Sequence, residues 1–399
     1  MGDRPRIAIA HDYLTQRGGA ERVVLALAER YPDAPIHTTL YDPDGTFPEF
    51  RGLDVRPSAL NAVAALRRHH RLALPLLPWA SGSVRIDADV VIASSSGWAH
   101  GFGGRHRKLV YCHSPARWLY CGDQYLSSRP DPLKAVALGM LAGHLRRWDR
   151  RSARAADRYL VNSTVVRERV REAYGIDATV VPAPLARTIE DAAPEECDDP
   201  FVVAGGYFLC VSRLLPYKNV DRVVDAFRLA PDLRLVVVGQ GPEWEKLVAS
   251  APDNVHLLRD LTDGQMKTVY CRSRALVSAS HEDYGLTPLE AAGVGRPSVV
   301  LRAGGFLDTM VDGETAVFFD EPTPVAILAA LRACTARAWD AAAIRAHAQT
   351  FCQEAFLARI DAEVRDLLVG ARVPRPALPV STLPGPELPG PALALRRVS

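Results

Sequence analysis

Two glutamates, Glu282 and Glu290, lie in the segment HEDYGLTPLEAAGVG and could act as a pair or separately. Thr287 followed by Pro288 predicts that a helix starts here, with Thr287 as its N-cap and Glu290 at the capping-box position. Residues at this separation along a helix differ by about 12 Å in rise, too far for two carboxylates to flank one bond as a glycosidase pair does. We therefore expect separate roles for the two glutamates. Bracing of the helix start is the alternative role for Glu290.

Two cations, Arg213 and Lys218, follow the apolar run YFLCV, which is typical of a buried strand. A guanidinium fork and an ammonium group at a strand-to-helix junction suit a diphosphate. The alternative is a pair of unrelated surface cations. Lysine is scarce, since only five of the 48 Lys and Arg residues are lysine, and this favours a specific role for Lys218.

Gly18 and Gly19 follow the first apolar run and precede a helix predicted to begin near Ala20. Paired glycines at a helix start allow backbone N–H groups to approach a phosphate. A plain glycine turn is the alternative. The spacing matches neither the dinucleotide fingerprint nor the Walker loop, which disfavours dehydrogenases and ATPases.

His113, in YCHSPARW, follows another apolar run and precedes a turn stiffened by proline. A lone histidine is often structural, but a position after a strand of a parallel sheet favours a functional role. His11 and His100 are weaker candidates.

Short apolar runs alternate with segments of helical period along the chain, the pattern of parallel α/β sheets. The strands predicted in the first half are Ile7–Ala10, Val90–Ala93, Leu109–Cys112, Tyr159–Val161 and Thr179–Val181. Those predicted in the second half are Phe208–Val211, Leu233–Val238, Val255–Leu258, Ala275–Val277, Ser298–Leu301 and Ala316–Phe319. Asn219 is placed to cap the helix after the first of these. The fold class is therefore α/β, with two doubly wound parallel-sheet domains and a ligand site in the cleft between them.

The acidic, aperiodic stretch Leu185–Pro200 predicts an interdomain linker. We expect domains at 1–188 and 199–351, then a helix at 352–371 that returns to the N-terminal domain, and a flexible proline-rich tail at 373–399.

Composition restricts the function classes. A formal charge of +2 gives no general attraction to nucleic acid. No apolar run is long enough to span a bilayer or to serve as a signal peptide. Seven cysteines without C-x-x-C spacing favour reduced thiols and a cytoplasmic protein over a disulfide framework or a zinc site.

The stretch around RRWDRRSARAADR predicts a basic amphipathic helix whose apolar face includes Leu138, Leu141, Leu145 and Trp148. Its basic face is either a solvated surface or a docking site for an anionic membrane at the inner face.

The segments SRLLPYKNVDRVVDAF, VVGQGPE and HEDYGLTPLEAAGVGRPSVVLRAGGFLDTMVDGETAVFF together resemble the donor-binding half of family 4 glycosyltransferases. The similarity extends from Arg6 to about Leu368. It implies the GT-B fold, with two Rossmann-like domains facing across a cleft. The VSRL and EDYG segments most resemble those of GDP-mannose-dependent mannosyltransferases.

The resemblance implies a role for each candidate residue. Glu290 matches the glutamate that binds the ribose hydroxyls, and Glu282 matches the one that touches the donor hexose. Arg213 and Lys218 match the diphosphate clamp. His113 matches a histidine that faces the donor sugar.

Three further residues, Gly285, Leu286 and Thr287, match positions whose backbone amides lie beside the phosphates. The sequence departs from the family where His100 replaces a common lysine and where Asp308 replaces a common glutamate. We expect Asp308 to brace the Gly304–Gly305 loop.

The resemblance thus predicts a retaining hexosyltransferase that moves a hexose, most simply mannose from GDP-mannose, to a hydroxyl of a saccharide, lipid-linked or small-molecule acceptor. A UDP-sugar donor, or an epimerase or hydrolase on the same scaffold, is the alternative. No cofactor or metal is expected, because no metal-binding D-x-D motif follows a strand and the Asp42–Asp44 segment DPD is interpreted as a turn.

Overall fold

The computed structural model describes residues 5–68, 73, 76–120, 132–185 and 191–370. Two large parallel sheets dominate these residues, one of seven strands and one of six. The proline-rich tail predicted at 373–399 and residues 186–190 of the predicted linker lie outside the described residues.

The first sheet has the strand order β3-β2-β1-β5-β7-β8-β9, and every pairing in it is parallel. Its strands are β1 (Ile7–His11), β2 (Ile36–Thr38), β3 (Val55–Pro57), β5 (Val90–Ser95), β7 (Arg107–Cys112), β8 (Arg158–Val161) and β9 (Thr179–Val180). A small separate ladder joins β4 (Arg85–Ile86) to β6 (Gly103–Gly104). Its helices are α1 (Gly19–Arg30), α2 (Ala64–Arg68), α3 (Leu77–Ser83), α4 (Arg117–Tyr120), α5 (Pro132–Arg154) and α6 (Thr164–Tyr174).

The second sheet has the order β12-β11-β10-β13-β14-β15, again entirely parallel. Its strands are β10 (Phe208–Val211), β11 (Leu235–Val238), β12 (Val255–Leu258), β13 (Ala275–Ser278), β14 (Ser298–Leu301) and β15 (Ala316–Phe319). Its helices are α7 (Pro200–Ala204), α8 (Val220–Arg228), α9 (Trp244–Ser250), α10 (Asp263–Arg272), α11 (Leu286–Gly293), α12 (Phe306–Thr309), α13 (Pro324–Ala336) and α14 (Ala341–Gln349). Single turns of 3-10 helix occur at Pro48–Gly52, Ala59–Ala62, Ala99–Gly101 and Pro216–Lys218.

The predicted α/β class and the two Rossmann-like sheets are confirmed. Every predicted strand is present, with bounds that shift by at most two residues. The central strands were predictable because both of their faces are buried, as in β5, and a fully buried parallel strand is a continuous apolar run. Strands β2 and β3 were missed because the sequences IHT and VRP lack such a run.

Both sheets reverse their strand order at one point, between β1 and β5 in the first and between β10 and β13 in the second. A crevice forms at the carboxyl ends of the strands at such a point, and ligands of doubly wound sheets bind there. A ligand site is therefore expected among the loops after these four strands.

The last helix, α15 (Gln353–Val369), packs against elements of the first sheet. Phe356 and Ile360 share a hydrophobic cluster with Leu27 of α1. Asp361 accepts hydrogen bonds from Arg30 at 2.6 Å and from Tyr31 at 2.7 Å. The predicted residue limits of the domains stay predictions.

Candidate functional site

Lys218 and Glu282 form the central contact of the second sheet's crevice. The 3-10 turn after β10 carries Lys218, and the loop after β13 carries Glu282. Lys218 Nζ lies 2.5 Å from Glu282 Oε1, and Ser280 Oγ donates to the same oxygen at 2.8 Å. Lys218 is only 6% exposed. Burying an unpaired ammonium would cost free energy, so Lys218 needs the Glu282 carboxylate beside it. The two charges are therefore already in place before a ligand binds.

Asn219 follows this lysine and fixes the turn. It lies at the N-cap of α8 with φ 55°, but its side chain donates to Ala279 O at 2.9 Å instead of capping the helix. The predicted side-chain cap is therefore wrong. The amide ties the Lys218 turn to the loop after β13.

Arg213, the second predicted cation, follows β10 directly and is exposed to solvent. It lies five residues before Lys218 on the same strand-to-helix connection. The structure thus brings the two cations to one loop, with Lys218 buried and Arg213 at the surface.

Helix α11 begins at Leu286, with Gly285 as its N-cap at φ 88°. The predicted start at Thr287 is wrong, and so is the capping box, because Thr287 and Pro288 already lie inside the first turn. Proline is tolerated there because the first N–H groups of a helix have no intrahelical partner. The backbone amides of Gly285, Leu286 and Thr287 are consequently at the helix start, where an anion is stabilised.

Glu290 lies within α11 and pairs with α10. Tyr270 Oη donates to Glu290 Oε2 at 2.7 Å. Burial raises the pKa of the Glu290 carboxyl, and the Tyr270 hydrogen bond partly opposes this. One carboxylate oxygen is therefore oriented by tyrosine, and the other remains to accept hydrogen bonds from a ligand.

The glycine turn of the first sheet meets the helix start of the second. Gly18 is the N-cap of α1, and a Cβ atom on Gly19 would lie 3.0 Å from Leu286 Cδ1. The N-termini of α1 and α11 are therefore close together across the crevice. The structure places Gly18 and Gly19 beside the predicted phosphate-binding amides of Gly285 and Leu286.

His113 follows β7 and belongs to a chain of polar contacts in the first sheet's crevice. Its Nε2 lies 2.8 Å from Ser94 Oγ. His11 Nδ1 lies 3.1 Å from both Ser94 Oγ and Ser94 O, and His11 Nε2 lies 3.6 Å from Glu21 Oε1. Burial, aided by the nearby His11, lowers the pKa of His113 to about 3, so the ring is neutral.

The pair His11 and Glu21 has shifted pKa values of opposite direction. Burial acts against both charges, but the mutual contact dominates and raises the pKa of His11 while lowering that of Glu21.

Sequence reasoning missed Glu21 and Ser94. A usable signal was present, because Glu21 lies two residues after the Gly18–Gly19 turn. A carboxylate at a helix start needs a reason when the neighbouring site is thought to bind phosphate.

His100, the other weaker candidate, points into the core of the first sheet. Its Nε2 lies 2.8 Å from Asp149 Oδ1, both residues are fully buried, and its ring packs near Trp148 and Tyr174. Within the described part of the chain, no contact links it to Lys218 or Glu282. Its place is structural.

Asp308 joins the two sheets. Its Oδ2 accepts from the Thr164 N–H and the Thr164 hydroxyl, both at 2.9 Å. The predicted bracing of the Gly304–Gly305 loop by this side chain is therefore wrong. The loop has its own reason for glycine, because a Cβ on Gly304 would lie 2.2 Å from Glu282 O.

Asp283, beside Glu282, is clasped by the first half of the chain. Arg117 and Arg169 both bind its carboxylate, and Ser163 Oγ donates to its main-chain carbonyl. Tyr284 Oη donates to Ala183 O at 2.6 Å. We call the ionic contacts of Asp283 with Arg117 and Arg169 the interdomain clasp. The clasp fixes the loop that carries Glu282.

The Asp42–Asp44 segment is a turn, as predicted, with Gly45 N–H donating to Asp42 O at 3.1 Å. The described residues hold no group of three or more His, Cys, Asp or Glu side chains arranged to bind a metal ion. Among the same residues, no helix combines the length and apolar character that crossing a bilayer requires.

Comparison with known proteins decides the family. Residues 17–185 match the model described as Glycosyltransferase Family 4, and residues 202–344 match that of Glycosyl transferases group 1. The Alpha-1,3/1,6-mannosyltransferase ALG2 of Homo sapiens is 30% identical over 425 residues, which cover 92% of this chain and 97% of that protein. This chain belongs to glycosyltransferase family 4.

Two further likenesses agree with membership of this family. The GDP-mannose-dependent alpha-(1-6)-phosphatidylinositol monomannoside mannosyltransferase of Mycolicibacterium smegmatis is 29% identical over 201 residues, 43% of this chain and 51% of that protein. The crystal structure of Anabaena Alr3699/HepE in complex with UDP-glucose aligns with a TM-score of 0.64 at 16% identity, covering 90% of this chain and all of that one.

The family 4 glycosyltransferase therefore has the predicted GT-B fold. Its crevice is formed by the loops after β1, β5, β7, β10 and β13, the loops that carry the candidate residues.

Proposed function

We propose that this glycosyltransferase moves mannose from GDP-mannose to an acceptor hydroxyl with retention of anomeric configuration. The observation that carries the proposal is the buried Lys218–Glu282 pair beside the start of α11. Mannosyltransferases among the relatives, one of them named as GDP-mannose-dependent, support the choice of donor.

In this proposal the diphosphate lies between the cations of the β10 loop and the amides of Gly285, Leu286 and Thr287. Negative charge grows on the diphosphate as the sugar leaves. Preorganised cations and helix amides stabilise that charge more than they stabilise the bound donor, which is what lowers the barrier. Lys218 supplies a point charge and Arg213 a guanidinium fork at the opening of the loop.

Retention in our proposal follows a front-face route. Each glutamate already has a partner, because Glu282 pairs with Lys218 and Glu290 with Tyr270. Glu282 then positions the hexose and Glu290 binds the ribose hydroxyls. The leaving phosphate takes the proton of the acceptor hydroxyl as the new bond forms on the same face.

We also propose that no metal takes part, because two cations and a helix start are available to the diphosphate. Transfer that is unchanged in excess EDTA supports this. Loss of activity in EDTA that is restored by Mg²⁺ or Mn²⁺ contradicts it.

A UDP-sugar donor is the main alternative, since a solved structure of this fold contains UDP-glucose. An epimerase or hydrolase would use the same donor clamp. Incubation with GDP-mannose and UDP-glucose, each with and without a saccharide acceptor, separates the three. Our proposal requires acceptor-dependent mannose transfer. Acceptor-independent release or isomerisation of the sugar contradicts transfer, and faster use of UDP-glucose contradicts the donor.

The acceptor in this proposal is lipid-linked, and the enzyme works at an anionic membrane on the cytoplasmic face. Support comes from the surface of α3 and α5. Trp79 is 66% exposed and lines an open groove between these helices with Leu145 and Trp148. Arg147 and Arg151 are exposed on α5 without an ion pair among the described residues. Exposed tryptophan beside unpaired arginine is the combination that binds an anionic phospholipid surface.

Vesicle sedimentation tests the membrane contact. Phosphatidylglycerol-containing vesicles should retain the protein, and pure phosphatidylcholine vesicles should not. Trp79→Ala and the double variant Arg147→Ala/Arg151→Ala should each weaken retention, whereas Trp244→Ala in the second half should not. Equal retention of all variants contradicts the proposed surface.

A further inference from the structure

Three polar side chains, those of Ser94, His11 and Glu21, connect His113 to helix α1, and the proposed donor clamp does not explain them. Ser94 Oγ lies 2.8 Å from His113 Nε2 and 3.1 Å from His11 Nδ1. His11 Nε2 then lies 3.6 Å from Glu21 Oε1. His11 is 2% exposed and Glu21 1%. The hydrogen-bond donors and acceptors around His11, Ser94 and His113 determine which of their atoms carry the shared hydrogens.

His11 carries a proton on Nδ1. This nitrogen lies 3.1 Å from the main-chain oxygen of Ser94, and a carbonyl oxygen can only accept. Its other nitrogen faces Glu21, whose buried carboxylate needs a cation. Glu21 from α1, Asp12 from the loop after β1 and His113 from the loop after β7 are the titratable groups that face His11. The two carboxylates raise the pKa of His11, which favours the doubly protonated ring.

The proton on His11 Nδ1 fixes the direction of the Ser94 hydroxyl, and that hydroxyl in turn fixes the tautomer of His113. The His11 Nδ1–H leaves no lone pair for the Ser94 hydroxyl to donate to, so Ser94 Oγ accepts from His11. Among the described residues, the other partner of Ser94 Oγ is His113 Nε2. The single hydroxyl hydrogen therefore points to His113 Nε2, and that nitrogen accepts.

We propose that His11 and Glu21 are positioning residues that act through Ser94 to hold His113 as the neutral tautomer protonated at Nδ1. His113 then presents an N–H donor to the donor substrate, and its lone pair is used by Ser94. It binds an oxygen of the sugar or phosphate and does not act as a general base. The identity of that oxygen rests on the proposed function, but the tautomer does not.

NMR of the full-length protein labelled with [15N]histidine tests the tautomer directly. The His113 signals are assigned by their loss in His113→Asn, and multiple-bond 1H–15N correlations report which ring nitrogen carries hydrogen. We expect protonation at Nδ1, unchanged from pH 6 to pH 8. A wild-type His113 protonated at Nε2 overturns the proposal.

Variants test the route. In Ser94→Ala the ring should populate both tautomers, and kcat should fall about tenfold for the loss of one oriented hydrogen bond, with GDP affinity unchanged. Glu21→Gln should shift the His113 tautomer less than Ser94→Ala does, because the Ser94 carbonyl still holds the His11 proton at Nδ1. Ser298→Ala is the matched control, because Ser298 is an equally buried strand serine of the other sheet. If His113 remains entirely in the Nδ1–H tautomer in folded Ser94→Ala, the proposed role of Ser94 is contradicted.

A pair of substitutions at His113 gives a readout that packing alone would not move. Asparagine places its amide N–H near the position of Nδ1, whereas glutamine places it near Nε2. His113→Asn should therefore keep more kcat than His113→Gln, and the reverse order contradicts the proposal. A protein without transferase activity but with His113 protonated at Nδ1 would overturn the proposed function and leave this inference standing.

Discussion

Lys218 is the central residue of the proposed donor clamp. It is a buried ammonium whose partner, Glu282, comes from a different strand loop. An ammonium held in this way needs no reorganisation when a diphosphate arrives beside it. That is the condition under which a single charge contributes most to a transition state.

Lys218→Ala and Arg213→Ala should each lose roughly 2–4 kcal/mol of transition-state stabilisation, about 30- to 800-fold in kcat/KM. Lys218→Arg should lose less, because it keeps a charge beside Glu282. Lys246→Ala is the control, since Lys246 is an exposed lysine paired with Glu243. Steady-state kinetics on folded variants provide the comparison. Wild-type kcat/KM in both alanine variants would contradict the assignment of Arg213 and Lys218 as the diphosphate clamp.

The two glutamates should separate in a binding measurement. Glu290→Gln should weaken binding of free GDP about 10- to 100-fold, the cost of losing a charged hydrogen-bond acceptor. Glu282→Gln should leave GDP affinity unchanged and lower turnover. Calorimetry with GDP alone tests this, with Tyr270→Phe as a milder variant on the same oxygen. Weak GDP binding by Glu282→Gln and normal binding by Glu290→Gln would reverse our assignment.

The candidate residues in the second half of the chain were easier to predict from the sequence than the contacts of His113 in the first half. Arg213, Lys218 and Glu282 follow strands with strong apolar runs, so their positions after strand ends were predictable. The partners of His113 were not, because Ser94 contacts it, and Glu21 connects to it through His11, only as a result of the parallel pairing of β1, β5 and β7. Sequence separation hides such contacts.

Helix α11 shows how an element sets the geometry of the site. Gly285 ends the preceding loop with φ 88°, a conformation that glycine adopts without strain. The helix therefore starts before Thr287. The Thr-Pro pair suggested a later start because proline is compatible with any position of the first turn and so does not fix which residue is the N-cap.

Gly285→Ala should destabilise the protein and impair donor binding. A Cβ there would lie 2.5 Å from Phe306 Cδ1, and the positive φ adds roughly 1–3 kcal/mol of backbone strain. Gly52→Ala is the control, because a Cβ on Gly52 meets nothing within 4 Å. Thermal denaturation and GDP calorimetry of the two variants test this. An unchanged melting temperature for Gly285→Ala would contradict the assigned conformation.

At the scale of the whole molecule, the interdomain clasp joins the first half of the chain to the loop that carries Glu282. Arg117 and Arg169 come from the first half of the chain and Asp283 from the loop of Glu282. Domains of a chain move relative to one another by default, and closure completes sites between them. The sequence predicted the cleft but not the clasp, because no local pattern specifies a contact between distant loops.

Arg169→Ala should loosen the closed arrangement and raise KM for the donor. In the absence of GDP, small-angle X-ray scattering should show a larger radius of gyration for Arg169→Ala than for the wild type. Arg171→Ala is the matched control, since Arg171 lies on the same helix but pairs with Glu168. Equal radii for the wild type and both variants would show that the clasp does not hold the domains closed.

The clasp should also depend on pH. Burial opposes the charge of Asp283, but Arg117 and Arg169 outweigh it and lower the pKa of its carboxyl. A lowered pKa means that the stabilisation is fully present above the unfolded value of about 3.9 and is lost as pH falls through the folded value. The melting-temperature difference between wild type and Asp283→Asn should therefore shrink below about pH 4. A difference that grows on acidification would contradict this sign.

The proposed reaction is transfer of mannose from GDP-mannose to an acceptor hydroxyl with retention of anomeric configuration. The most direct measurement incubates the purified protein with radiolabelled GDP-mannose and a lipid-linked saccharide acceptor, with Lys218→Ala and Lys246→Ala in parallel. We predict a labelled α-mannosyl product with wild type and Lys246→Ala and its near loss with Lys218→Ala. Equal product from all three proteins, or product that forms only from UDP-sugars or with inverted configuration, would contradict the proposed reaction.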